Sequence, residues 1–223
     1  MTDQATMPDD THVDLAGVVT AWTYGWALSR GVPPPQAMAG AARLEVGLPG
    51  HRVRYVAYGH DEGLLTELGR HRAKPGTWIK AATEPARLRA TLGPAWTMAD
   101  TGFLMTTSLA DAPVNRAAEP YTLRVTASAG VTVAAVLDPA GTTAATGRLA
   151  AWNGYGIVDQ VETAPAYRRR GLGSTVMTAL ATRAARHGVH TGVLVATTEG
   201  RDLYRSLGWG VRSPIAAAHV PEP

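Results

Sequence analysis

Hydrophobic and polar positions alternate in two different rhythms along this chain. Residues 13 to 29, VDLAGVVTAWTYGWALS, follow a helical period with Trp22 and Trp26 one turn apart, and GVPPP behind them is a stop signal. The tryptophans read as packing residues. HRVRYVAYG at 51 to 59 is extended, Asp61 to about Arg72 is helical, and KPG separates it from a strand-like TWIKAAT and a short helix at 84 to 92. GFLMTTSL at 102 to 109 predicts another strand. ADAPVNRAAEP, 110 to 120, has no period and two prolines, which marks a linker. The expected division is therefore 1–115 and 116–223.

Beyond the linker, YTLRVTA, VTVAAVLDP, TTAATGRLAAW and YGIVDQVET are short Val- and Thr-rich runs separated by AG, PAG and NG turns, which predicts an antiparallel meander. LGSTVMTALATRAARHG puts Val176, Leu180 and Ala184 on one helix face with Gly188 at the stop, and GVLVAT at 192 to 197 predicts a buried strand.

TWIKAATEPARLRATLG, 77 to 93, aligns with TGVLVATTEGRDLYRSLG, 191 to 208, pairing Thr77 with Thr191 and Ile79 with Val193. After a one-residue gap it pairs Leu88 with Leu203, Leu92 with Leu207 and Gly93 with Gly208. The N-terminal half reads as a worn copy of the C-terminal half; a chance match of two Ala-rich strand-helix pairs is the other explanation.

At 223 residues and 45% hydrophobic composition, the chain can bury a substantial core. A formal charge of +3 from 21 basic and 18 acidic residues gives little support to nucleic-acid binding. The absence of cysteine excludes disulfides, thiolate metal sites and a thiol nucleophile. A polar, acidic N-terminus and the lack of any membrane-length apolar run predict a cytoplasmic protein without membrane attachment.

The chemistry concentrates in AYRRRGLGS, 166 to 174. This loop joins a strand ending near Thr163 to a helix starting near Leu172, so backbone N–H groups and a helix N-terminus converge as an anion cradle. Gly171 and Gly173 permit close approach of a ligand. A G-x-x-x-x-G-K motif is absent, and the dinucleotide pattern fails at Val176.

Arg168-Arg169-Arg170-Gly171-Leu172-Gly173, preceded by VETAPAY and followed by VLVATTEGRDLYRSLGW, resembles the GNAT superfamily of acyl-CoA-dependent N-acyltransferases over residues 121 to 215. The resemblance implies an α/β GNAT fold, a mixed, mostly antiparallel sheet flanked by helices, here preceded by a smaller α/β half-domain. It implies acetyl-CoA as co-substrate, with its pyrophosphate on Arg168, Arg169, Arg170, Gly171, Leu172, Gly173 and Ser174. The pantetheine arm would pair with the strand around Val161 and Thr163. It also puts Tyr204 in the position of the general acid.

A phenol of ordinary pKa near about 10 stays protonated at neutral pH and can donate to a departing sulfur. For the general base, Asp159 and Glu162 are the candidates, with Glu162 favoured. They fall on opposite faces of a regular strand unless a bulge intervenes. His187 and His190 read as surface residues. YTLRVTASAGVTVAAVLDP leaves no room for the helices that build the family's acceptor pocket, so the N-terminal half is expected to supply that wall. The expected partner is a small-molecule or peptide amine, acetylated by a monomer or homodimer. The rival reading is a non-catalytic acyl-CoA-binding sensor or partner module.

Overall fold

The computed structural model describes residues 14–110 and 119–223. The expected boundary at 115/116 and most of the expected linker lie outside the described residues. In chain order the elements are α1 (Leu15–Arg30), β1 (Gln36–Met38), β2 (Ala41–Leu48), β3 (His51–Ala57), α2 (Glu62–His71), β4 (Thr77–Ala81), α3 (Pro85–Thr91) and β5 (Thr97–Ser108). Then follow β6 (Thr122–Ser128), β7 (Val131–Leu137), β8 (Thr143–Trp152), β9 (Tyr155–Thr163), α4 (Leu172–Ala185), β10 (Thr191–Ala196), α5 (Thr198–Ser206) and β11 (Gly210–His219). No helix among the described residues is long and apolar enough to cross a membrane.

The helices start and stop where their caps dictate. The Asp14 carboxylate accepts from the Ala16 N–H, and Gly31, at φ 65°, closes α1 before the prolines. Asp61 and Thr197 cap α2 and α5 in the same manner. The meander is present as β6 to β9, antiparallel throughout. Strands β1, β2 and β11 were not expected, and β5 begins at Thr97 rather than Gly102. In β11 the run Ile215 to Ala218 is buried on both faces, which erases strand alternation, and Pro214 sits between two register shifts that accommodate its missing N–H.

All strands join one mixed sheet in the order β1-β2-β3-β4-β11-β5-β10-β9-β8-β7-β6. Apart from the edge strand β6, which has no counterpart, the order is symmetric about the antiparallel β5–β11 pair, with four strands matched on each side. On one side β3 and β4 run parallel across α2; on the other β9 and β10 run parallel across α4. Each half then adds a short helix and a strand that crosses to the other half. β5 pairs with β10, and β11 pairs with β4. The division at 115/116 is therefore one of chain order, since each half lends a central strand to the other.

Packing also corrects the repeat alignment. Ile79 faces the α2 and α3 core with Leu65, Leu68 and Leu88, whereas Val193 faces α1 with Trp22 and Ile157. The residue that shares Ile79's facing is Leu194, which packs on α4 with Val158, Val176 and Leu180. Pairing Ile79 with Leu194 uses the same offset as Leu88 with Leu203 and Gly93 with Gly208, so no gap is needed.

α1 lies across β8, β9 and β10 of the other half. It comes so close that a Cβ at Gly25 would stand 2.4 Å from Ile157 Cγ1. Expressed alone, residues 116–223 would leave β10 and β11 without β5, and Ile157 and Val193 without α1. We expect this fragment to be insoluble or non-cooperatively folded by circular dichroism. A soluble fragment with a sharp thermal transition would contradict the exchange of central strands as a folding requirement.

Candidate active site

Parallel pairing of β9 with β10 extends only from Tyr155–Thr191 to Ile157–Val193. Beyond Ile157 the strands part. The cause is a bulge: β8 pairs Arg148 with Asp159 and Thr146 with Glu162, so one extra residue is accommodated on β9, and Gln160 there takes φ 52°. A non-glycine residue in that region costs about 1–2 kcal/mol, which the flanking ladder must hold in place. The equivalent strands β3 and β4 stay paired from Val53–Thr77 to Ala57–Ala81, so the N-terminal half has no such slit. Parted parallel strands present unpaired backbone groups to an extended ligand.

At the open end of the slit the chain makes one turn of 3₁₀ helix, Pro165–Tyr167, and enters the arginine loop. Arg169 at φ 63° and Gly171 at φ 74° are both left-handed, and Gly171 is the N-cap of α4. The first-turn N–H groups of Leu172, Gly173 and Ser174 have no intrahelical acceptor and point with the positive end of the helix dipole. Two of the three arginines brace this loop. Arg168 Nε donates to the Thr163 carbonyl at 3.3 Å. Arg170 donates to Tyr121 Oη at 2.6 Å and to the Ala166 carbonyl at 3.2 Å. Arg169 is exposed. Leu172 is buried and anchors the helix start.

A cavity of about 440 Å³ lies between the slit and α1. Its walls include Val161, Thr163, Gly173, Leu203 and Tyr204 from the C-terminal half, and Trp22, Trp26, Arg30, Arg54 and Lys80 from the N-terminal half. The N-terminal half thus contributes α1, β3 and β4 to the cavity wall. Tyr204 has its pKa pushed up to about 12, first by burial and then by the charge of Asp159. Its phenol is fully protonated at neutral pH.

The bulge puts both acids on the α1 face. Arg148, opposite Asp159, donates to the Ser29 carbonyl of α1 at 3.1 Å, and Thr146, opposite Glu162, shares its facing. Asp159 lines the cavity, but Arg30 holds it through Nε at 2.7 Å and a terminal guanidinium nitrogen at 3.0 Å. Glu162, the favoured base, is exposed and is not part of the cavity wall. His187 and His190 are exposed.

Arg54 and Lys80 were not expected here. Arg54 is only 6% exposed; its guanidinium lies 3.8 Å from the Trp26 ring centre and donates from Nε to His51 Nε2 at 3.1 Å. Burial foremost, then the Arg30 charge, brings its pKa down to about 9. His51 is driven to about 3, by burial and then by Arg54, and so accepts as a neutral imidazole. Lys80 is half-buried and falls to about 8, again by burial first and then by Arg54. The available signal was a charged residue at an inward strand position, in RVRYVA and in TWIKAA.

Residues 103–209 match the model of the Acetyltransferase (GNAT) family. Similar solved structures include a GCN5-related N-acetyltransferase from Kribbella flavida, at 16% identity and TM-score 0.66 over 92% of this chain and 96% of that one. Another, from Sphaerobacter thermophilus, shares 14% identity at TM-score 0.58 over 80% and 76%. A GCN5-related N-acetyltransferase-like protein from Streptococcus suis shares 12% identity at TM-score 0.58 over 92% and 98%. No curated protein matches the chain. The stretch from β5 to Trp209 is thus similar to the GNAT family, and the chain as a whole shares the fold of these solved structures.

Proposed function

We propose that this chain transfers an acetyl group directly from acetyl-CoA to an amine held in the cavity beneath α1. The observation that carries the reading is the parted β9–β10 pair, whose open end leads into the glycine loop and onto a cavity lined by Gly173 and Tyr204. The loop suits a pyrophosphate because its left-handed turns and first-turn amides form an anion concavity. Backbone N–H groups of Arg169 to Ser174 would hold that group, Arg168 would fix the strand end, and Val161 and Thr163 would pair with the pantetheine arm. When bound, acetyl-CoA supplies the thioester.

Tyr204 would give its proton to the departing sulfur. A phenol held at about 12 keeps that proton across the physiological range. Arg30 occupies Asp159, so the proton of the amine leaves through water, with Glu162 at the solvent side as a relay. The N-terminal half, as a worn copy, binds no second acetyl-CoA: its strands remain paired, and Arg89, the counterpart of Tyr204, donates to the Trp96 carbonyl at 3.0 Å. Release of free CoA thiol with a panel of amines tests the reading. We expect amine-dependent release at one acetyl-CoA per chain. Tight binding of acetyl-CoA without release for any amine would leave only a binding module.

A further inference from the structure

The cavity's charges do not balance. Among the described residues, three cations line it, Arg30, Arg54 and Lys80, against a single acid, Asp159. Asp159 is bidentate to Arg30, and neither Arg54 nor Lys80 has a carboxylate partner among the described residues. Arg54 has its ring contact with Trp26 and its bond to His51, and Lys80 lies 6.0 Å from the Trp78 ring centre. All these partners are neutral. Sequestering cations from water is costly unless an anion meets them, and the walls that hold them face an open volume, not packed core.

We propose that Arg54 and Lys80 form a carboxylate-binding subsite and that the acceptor is an amine carrying a carboxylate, such as an amino acid or a peptide with a free acid group. This rests on reading the cavity as the acceptor site of an acetyltransferase. By strand order, β3 and β4 stand at the far side of the cavity from β9, β10 and α5. An acceptor anchored by its anion on Arg54 and Lys80 would extend its amine under Trp22 and Trp26 toward Tyr204. The net positive walls repel a purely cationic polyamine and tolerate a zwitterion. They also disfavour the ammonium form of the bound amine, which suits a site whose lining acid, Asp159, is committed to Arg30. Lys80 and Arg54 both carry depressed pKa values, as expected of cations whose counter-ion arrives with the ligand.

The test uses ω-amino acids of increasing length, each paired with its carboxamide, and reads CoA thiol release by the full chain. The acid should exceed its amide at least about tenfold in kcat/KM, mainly through KM, and Lys80→Met should abolish the preference. The same substitution should raise the melting temperature, because it removes a cation without an acid partner; a merely structural lysine would lower it. Binding is measured independently of turnover by thermal shift with the N-acetylated acids and amides in the absence of acyl-CoA. Selective stabilisation by the acids, lost in Lys80→Met, supports the subsite even if no thiol is ever released, and so separates it from failure of the acetyltransferase reading. Equal behaviour of acid and amide in both assays overturns it. So does a Lys80-dependent preference for succinyl-CoA over acetyl-CoA with neutral amines, which would give the cations to the acyl group.

Discussion

Tyr204→Phe should lower kcat by about 10²-fold while leaving acetyl-CoA affinity unchanged, the loss expected when a positioned proton donor is removed. The substitution is conservative for the fold. The ring lies 6.2 Å from that of Trp209 and packs at the edge of the α4 core, contacts that phenylalanine keeps. What it loses is one proton. Because burial and the Asp159 charge hold that phenol at about 12, the donor is present at every pH below that value. The wild-type profile should therefore show no Tyr204 deprotonation limb up to about pH 10, and the variant should run parallel to it at a lower level. Stopped-flow or steady-state thiol release over pH 6 to 10, with acetyl-CoA affinity measured separately, makes the comparison. An unchanged kcat would mean that water protonates the sulfur and that Tyr204 is a packing residue.

Legibility in the sequence followed the range over which each feature is determined. α1, α2 and the meander were readable because caps, periods and turns are local: Asp14 and Gly31 bound the first helix, and the AG, PAG and NG turns separate the strands. The glycine loop was readable as a motif, although not that Arg168 braces it on the Thr163 carbonyl and Arg170 on Tyr121, a residue distant in sequence just ahead of β6. β11 was missed because a strand buried on both sides loses its alternation, and a run of alanines with a proline carries no β signature. The exchange of β5 and β11 is non-local by nature. It also explains why the sequence match begins at residue 103, inside the N-terminal half: β5 completes the sheet beside β10.

The site shows the same division. Parity alone would have separated Asp159 from Glu162, and the bulge at Gln160 that reunites them has no local marker such as glycine. Arg54 and Lys80 were visible as inward charges, but only the fold brings β3 and β4 under the same helix as β9. The two tryptophans were read as packing, and they do pack; Trp26 also carries the face on which Arg54 rests.

Gly173→Val should abolish stabilisation by acetyl-CoA without harming the free protein. At a ligand concentration of about 100 Kd, linkage adds roughly 2.7 kcal/mol to native stability, which for a chain of this size is about 5–10 °C in Tm. Gly173 is the right position to test because its backbone is not left-handed and a Cβ there meets only Thr163 Oγ1 at 3.4 Å and Leu203 Cδ2 at 3.7 Å, ordinary contacts. Glycine is also the poorer helix former, by a few tenths of a kcal/mol relative to valine. The free variant should therefore melt close to wild type. Gly171 would be a worse choice, since at φ 74° any side chain strains the loop whether or not a ligand is bound. The added methyls at 173 occupy the space between Thr163 and Leu203 where β9 and α5 flank the helix start, so a pyrophosphate could no longer approach the first-turn amides. A differential scan of both proteins with and without acetyl-CoA reads the outcome. Equal shifts would place the phosphate cradle elsewhere, whereas loss of the shift with an unaltered free-protein Tm would tie the anion to the backbone of α4's first turn.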